Sequence, residues 1–144
     1  YMKKIISFLC IILVVLFLLV YKQVGKSNNA VVSIGKSDKF SQGEINDATN
    51  CVKKKFKDFR GCSLTNLWYD EKKSNYSIGD YLKYGKGLEN GVKSENVIVF
   101  ISTFKVDFSG GEGSLNPNST YSDWNWTVIR DSKTGNWRVD CWGY

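Results

Sequence analysis

No histidine occurs anywhere in the chain. That removes the Ser-His-Asp and Cys-His nucleophile systems, which need an imidazole to take and return a proton near neutral pH. It also leaves cysteine to hold a metal, and cysteine is sparse. Cys10 lies inside an apolar run, and Cys51, Cys62 and Cys141 stand 11 and 79 residues apart, unlike the tight pairs of a zinc site. No metal and no cofactor is expected. A basic surface is missing too, despite a formal net charge of +6. Residues 1–40 carry six lysines against Asp38, so the remainder, with 14 basic and 13 acidic side chains, holds only +1 of that charge. Nucleic-acid binding requires the basic excess on the docking domain, so nucleic acid is excluded as a partner.

What is present begins with a leader. Lys3 and Lys4 precede Ile5–Tyr21, which is apolar apart from Ser7 and one tyrosine hydroxyl. The run is longer than the usual secretory core and about the length of a spanning helix. No A-x-A cleavage site follows it, so an uncleaved anchor is favoured over a cleaved signal peptide. Either way residues 1–21 contact the membrane, through residues 5–21, and the rest of the chain is extracytoplasmic, anchored or secreted. Residues 22–40 are polar and small and read as a linker, with a short strand at 31–34 as the alternative. Export favours thiol oxidation, so one disulfide is expected. Cys51–Cys62 is the preferred pair, because a short-range bridge needs no knowledge of sheet order, and Cys62–Cys141 is the alternative.

Residues 41–144 read as a single domain. Ser41-Gln42-Gly43-Glu44 is a capping box, and Ile45, Ala48, Val52, Phe56 and Phe59 follow at helical spacing. This predicts an amphipathic helix over about 42–59, stopped by Gly61. Its lysine run Lys53–Lys57 is the solvated face, or else a patch for anionic lipid. Cys62–Tyr69 is a strand entering a charged turn at Asp70–Asn75, and Ser77–Tyr84 is a short helix. Residues 85–95 form a glycine-rich turn that lacks the lysine and strand–loop–helix context of a phosphate loop. Asn96–Phe108 is the longest strand signal, apolar on both faces over 97–101. Ser109–Thr120, with the only proline, Pro117, is a long connection.

Four of the five tryptophans fall in the last 24 residues, which read as a hairpin turning at Ser132–Gly135. Setting Asp131 opposite Asn136 aligns Trp126 with Cys141 and Val128 with Val139. Trp124, Trp126, Val128, Trp137, Val139 and Cys141 then share one face, and Trp142 falls on the other. Together these elements predict an α+β fold, a curved antiparallel sheet wrapped on the N-terminal amphipathic helix like a cone, preceded by the membrane or signal segment.

Leu67-Trp68-Tyr69-Asp70-Glu71, Asn96–Val99, Phe104–Asp107 and the ending Trp137-Arg138-Val139-Asp140-Cys141-Trp142-Gly143-Tyr144 carry a family likeness. Over 41–144 the chain resembles an uncharacterised exported domain family of Firmicutes with a nuclear-transport-factor-2-like (cystatin-like) fold. The resemblance implies a cone with a cavity between helix and sheet and is silent on activity, because that fold hosts enzymes and non-enzymes alike. Cyclase-like members use an Asp–His pair, which this chain cannot supply. The reading that follows is an extracytoplasmic binding or interaction domain without catalysis, taking an unknown protein or a small apolar or glycan ligand. Its candidate contact residues are Trp142, Tyr144, Trp124, Trp126, Tyr121 and Trp68. The alternative is a small isomerase- or cyclase-like enzyme with a carboxylate base in the cone, which requires a desolvated carboxylate and a tyrosine within hydrogen-bond reach in an open cavity.

Overall fold

Ser41 caps its helix as the sequence predicts. In the computed structural model, which describes residues 2–144, its hydroxyl accepts from Glu44 N, and the Glu44 carboxylate accepts from Ser41 N at 2.8 Å. This helix, α2 (Gln42–Phe56), is the second of the chain; α1 (Met2–Gln23) is the apolar leader. Its described apolar side chains are exposed, and it is long and apolar enough to be a signal or membrane segment. α2 ends three residues before the predicted stop. Lys57, Asp58 and Phe59 N–H groups donate to carbonyls three residues back, a tighter last turn that still folds the Phe59 ring against Phe56.

α2 lies across one face of a five-stranded sheet that is not closed, with strands in sequence order: β1 (Val31–Ile34), β2 (Cys62–Tyr69), β3 (Val97–Val106), β4 (Thr120–Ile129) and β5 (Arg138–Gly143). The sheet is mixed, whereas a wholly antiparallel one is expected from sequence. Val31–Ile34 forms a real edge strand and pairs in parallel with Asn66–Tyr69. Residues 25–34, read as part of a linker, are therefore hydrogen-bonded into the domain. Ile45, Ala48, Val52 and Phe56 of α2 are buried on Leu64, Leu67, Phe100, Phe104, Trp126 and Val128. Truncating a buried ring such as Phe56 to alanine typically costs about 3–5 kcal/mol.

The opposite face carries α3 (Glu71–Tyr84), with the short α4 (Lys86–Asn90) following it. Ile78 and Tyr81 of α3 pack on Val97, Val99 and Ile129. The charged run after Asp70 is not a turn. The Asp70 side chain accepts from Lys73 N and caps a helix that begins at Glu71, six residues earlier than expected. With helices on both sides, Val97–Ser102 is buried throughout, which is why that stretch is apolar on both faces.

No disulfide forms: all four cysteines are free. The Cys51 thiol donates to Trp137 O at 3.4 Å, and the Cys62 thiol donates to Arg60 O at 3.6 Å. α2 continues for five residues past Cys51, which carries the chain away before it returns at Cys62. Cys141 packs against the α3 side of the sheet, so the Cys62–Cys141 alternative is not formed either.

The hairpin register holds at Val128↔Val139 but shifts beyond it. Thr127 pairs with Cys141 and Trp126 with Trp142, leaving Asp140 as the extra residue of a β-bulge. The consequence is an exchange of faces. Cys141 turns toward α3, and Trp142, expected on the polar face, turns toward α2.

Candidate functional site

Two bulges assemble one aromatic cleft at the C-terminal end of α2. In β4, Ser102 pairs with Trp124 and Phe104 with Tyr121, so Ser122 and Asp123 together oppose Thr103. Asp123 takes the left-handed conformation (φ 58°) that a short side chain able to bond its own backbone tolerates best. Because the bulge absorbs one residue, Tyr121 and Trp124 point to the same side of the sheet despite their odd spacing. The Asp140 bulge brings Trp142 to that side, and Tyr144 follows two residues later.

The rings meet largely edge to face. Trp124 lies 6.2 Å from Phe59 at 87° and 5.3 Å from Tyr144 at 72°, and Trp142 lies 6.2 Å from Phe59 at 70°. Tyr121 stacks on Phe104 at 5.2 Å. Trp126 packs behind Phe59 and Trp142: it is fully buried, and its indole N–H donates to Ser102 Oγ at 2.8 Å. Beside these rings opens a cleft of about 370 Å³ lined by Phe59, Cys62, Leu115, Trp124 and Trp142. Its rim is charged, with Lys55 paired to Asp58 at 2.8 Å and Arg60 paired to Glu112 at 2.7 Å. The Lys55 ammonium also sits 4.7 Å from the Trp142 ring centroid. Burial, then the Asp107 carboxylate, pushes the Cys62 thiol up to about 11, so it lines the cleft as a neutral apolar group rather than as a nucleophile.

One atom is out of place energetically. Among the described residues, Trp124 Nε1 is the only buried side-chain nitrogen or oxygen without a hydrogen-bond partner. A buried donor left unpaired costs about 1–3 kcal/mol, so it is normally found with an acceptor.

Five of the six residues nominated from sequence therefore converge here: Trp124, Trp142, Tyr144 and Tyr121 at or beside the cleft and Trp126 packed behind its rings. Trp68 does not. It stands at the β1–β2 edge beside Val31 and Asp70, over a separate surface depression. Lys55, Phe59, Arg60, Glu112 and Leu115 were not nominated. Phe59 reads as helix core and Lys55 as solvated helix face, and the connection holding Glu112 and Leu115 has no signal linking it to the tryptophans.

A tyrosine–carboxylate pair does exist, on the other face. Tyr81 Oη donates to Asp140 Oδ2 at 2.8 Å, and Asn90 Nδ2 lies 3.3 Å from both. Burial, then the bond to Asp140, holds the Tyr81 phenol well above its ordinary range. On the α2 face, where a cone would have its cavity, Phe56, Phe59, Phe104 and Trp126 fill the space ring against ring. Among the described residues no group of three metal-ligating side chains gathers.

Residues 27–143 match the family described as a domain of unknown function (DUF4829). The chain belongs to that family. The match spans β1 as well as the aromatic ending, in keeping with the edge strand being part of the domain. No curated protein and no solved structure matches the chain.

Proposed function

We propose that this DUF4829 domain is a non-catalytic binding or interaction module, held outside the cytoplasmic membrane, and that its ligand enters the aromatic cleft. The observation that carries the reading is the ring-lined cleft, one of whose lining side chains, Trp124, keeps a buried N–H without a partner. The rings favour an apolar or sugar-like face, and the orphan donor asks for one acceptor oxygen on it. Trp142 and Tyr144, 44% and 80% exposed, offer contact area at the mouth. Extracytoplasmic placement rests on α1, and a cone-like fold of the nuclear-transport-factor-2 kind on the helix laid across a sheet with bulges in β2, β4 and β5.

The carboxylate-base enzyme has less in its favour. Its pair, Asp140 and Tyr81, is tied up internally on the α3 face, and ring packing fills the α2 side. The test is native mass spectrometry of the full chain purified from its own host. A retained adduct lost in Trp142→Ala is expected. An adduct that survives in Trp142→Ala, or wild-type protein that carries none and acquires none from host extract, overturns the assignment.

A further inference from the structure

The leader is seated on the domain without slack. Two residues past the end of α1 the chain is already bonded to the fold. Gln23 O accepts from Gly61 N at 2.7 Å, Gly25 N donates to Lys57 O at 3.0 Å, and Lys26 N donates to Cys62 O at 2.9 Å. The seam is too tight for a side chain at either glycine. A Cβ on Gly25 would stand 1.9 Å from Phe56 O, and Gly61 (φ +69°) has Asp107 and Ser109 side-chain oxygens where a Cβ would go. The 22 residues of α1 rise about 33 Å at about 1.5 Å each, close to the ~30 Å hydrocarbon core of a bilayer. With α1 in a membrane, whatever surrounds Gly61 must therefore lie at the lipid headgroups.

What surrounds it suits that position. Gly61 O accepts from Asp107 N at 2.9 Å, and the next residue is Phe108, 82% exposed. Lys26 bridges to Ser63, which pairs with Lys105 in the sheet, and Lys57 receives Gly25. The acids nearby are occupied. Asp58 and Glu112 are paired with Lys55 and Arg60, and Asp107 accepts from Ser109 N at 2.8 Å. Lys26, Lys57 and Lys105 take part in no ion pair among the described residues and are exposed. An exposed ring beside unpaired lysines, next to a spanning helix, is the composition of a membrane-interface anchor.

We infer that this edge, the α2–β2 turn with Asp107–Ser109, is a bilayer-docking surface, Phe108 entering the interface and Lys26, Lys57 and Lys105 facing anionic lipid phosphates. The inference rests on α1 remaining in the membrane as an anchor. It goes beyond tethering, because it fixes the domain's orientation on the membrane.

The test uses the full chain with Phe108→Trp in vesicles of equal parts phosphatidylcholine and phosphatidylglycerol, doped with lipids brominated near the headgroup. The signal is the emission difference from wild type, and the control is Tyr76→Trp on α3, where the native ring is 77% exposed. Position 108 is expected to shift blue and be quenched, and position 76 to do neither. If the chain floats with the vesicles but position 108 behaves like position 76, docking is wrong and the anchor stands. If the chain does not float, the anchor reading falls and docking with it. Should Phe108→Trp fail to fold, amide exchange of wild-type residues 105–110 replaces it. Slower exchange in vesicles than in detergent supports docking, and equal exchange overturns it.

Discussion

The two ends of α2 treat buried polarity in opposite ways. At the N-terminal end Arg130 is buried with every neighbour engaged. It pairs with Glu44 at 2.8 Å, donates to Asn96 Oδ1 at 3.1 Å, and lies 4.3 Å over the Trp137 ring. At the C-terminal end Trp124, which lines the cleft, carries a buried N–H with no partner. Both ends bury polar atoms among aromatic rings, but one is complete within the chain and the other is not. Under the proposed function, the unfinished end is the one that meets a ligand. That contrast distinguishes the two ends more sharply than exposure does, since rings are plentiful at both.

The comparison breaks most visibly at the finished end. Arg130→Leu removes the cation while leaving the half-buried Glu44 carboxylate and the Asn96 carbonyl without it, and it surrenders the stacking on Trp137. A loss of about 2–4 kcal/mol in unfolding free energy is expected from denaturant titration of the full chain in micelles, most of it from the orphaned Asn96 acceptor and the lost contact with the Trp137 ring. The adduct seen by native mass spectrometry should survive in whatever fraction remains folded.

A matched pair of indoles then sharpens it. Trp126 and Trp124 sit two residues apart on one strand, and Ser102 serves the first while accepting nothing from the second. Ser102→Ala orphans the Trp126 N–H and should cost about 1–3 kcal/mol. Trp124→Phe deletes a donor that has no partner, so its polar loss should be nil and only a modest packing change should remain. If Trp124→Phe destabilises as much as Ser102→Ala, Trp124 has a partner in the free protein and the end is finished after all.

Local chemistry made the finished end readable in the sequence, and its absence hid the other. The Ser41–Glu44 box and the stripe of Ile45, Ala48, Val52 and Phe56 are set by neighbours three and four residues away, and they form as written. Val128 meets Val139 for a similar reason, since the turn is short. The cleft depends instead on two bulges, at Ser122–Asp123 and Asp140, that nothing adjacent dictates. Asp140, the residue left out of register, is bonded to a tyrosine 59 positions earlier in the chain. Strand β1, over the bounds 31–34 given as the alternative, ranked below a linker because only Val32 and Ile34 are half-buried and the strand needs β2 to receive it. Asp70 was hidden because a charged run after a strand reads as a turn unless the aspartate is weighed as a cap. The cysteines misled through compartment: export favours oxidation, but geometry decides whether two thiols meet.

The smallest effect tests how the finished end depends on pH. The Ser41 backbone N–H bond, opposed by burial and then reinforced by Arg130, holds the Glu44 carboxyl below its ordinary range. A carboxylate with a depressed folded pKa stabilises the fold fully above the unfolded glutamate value, and that stabilisation disappears as pH falls through the folded value. Glu44→Gln keeps the reach back to Ser41, since glutamine also completes a capping box, but it loses the charge opposite Arg130. At neutral pH the variant should be less stable by about 1 kcal/mol, because Glu44 is partly solvated and the pair is screened on that side. As pH drops below the ordinary glutamate range, wild type should lose stability faster than the variant until the two unfold together. A gap that persists unchanged into acid would mean that Glu44 acts through packing, and that the end of α2 owes its completeness to shape rather than to charge.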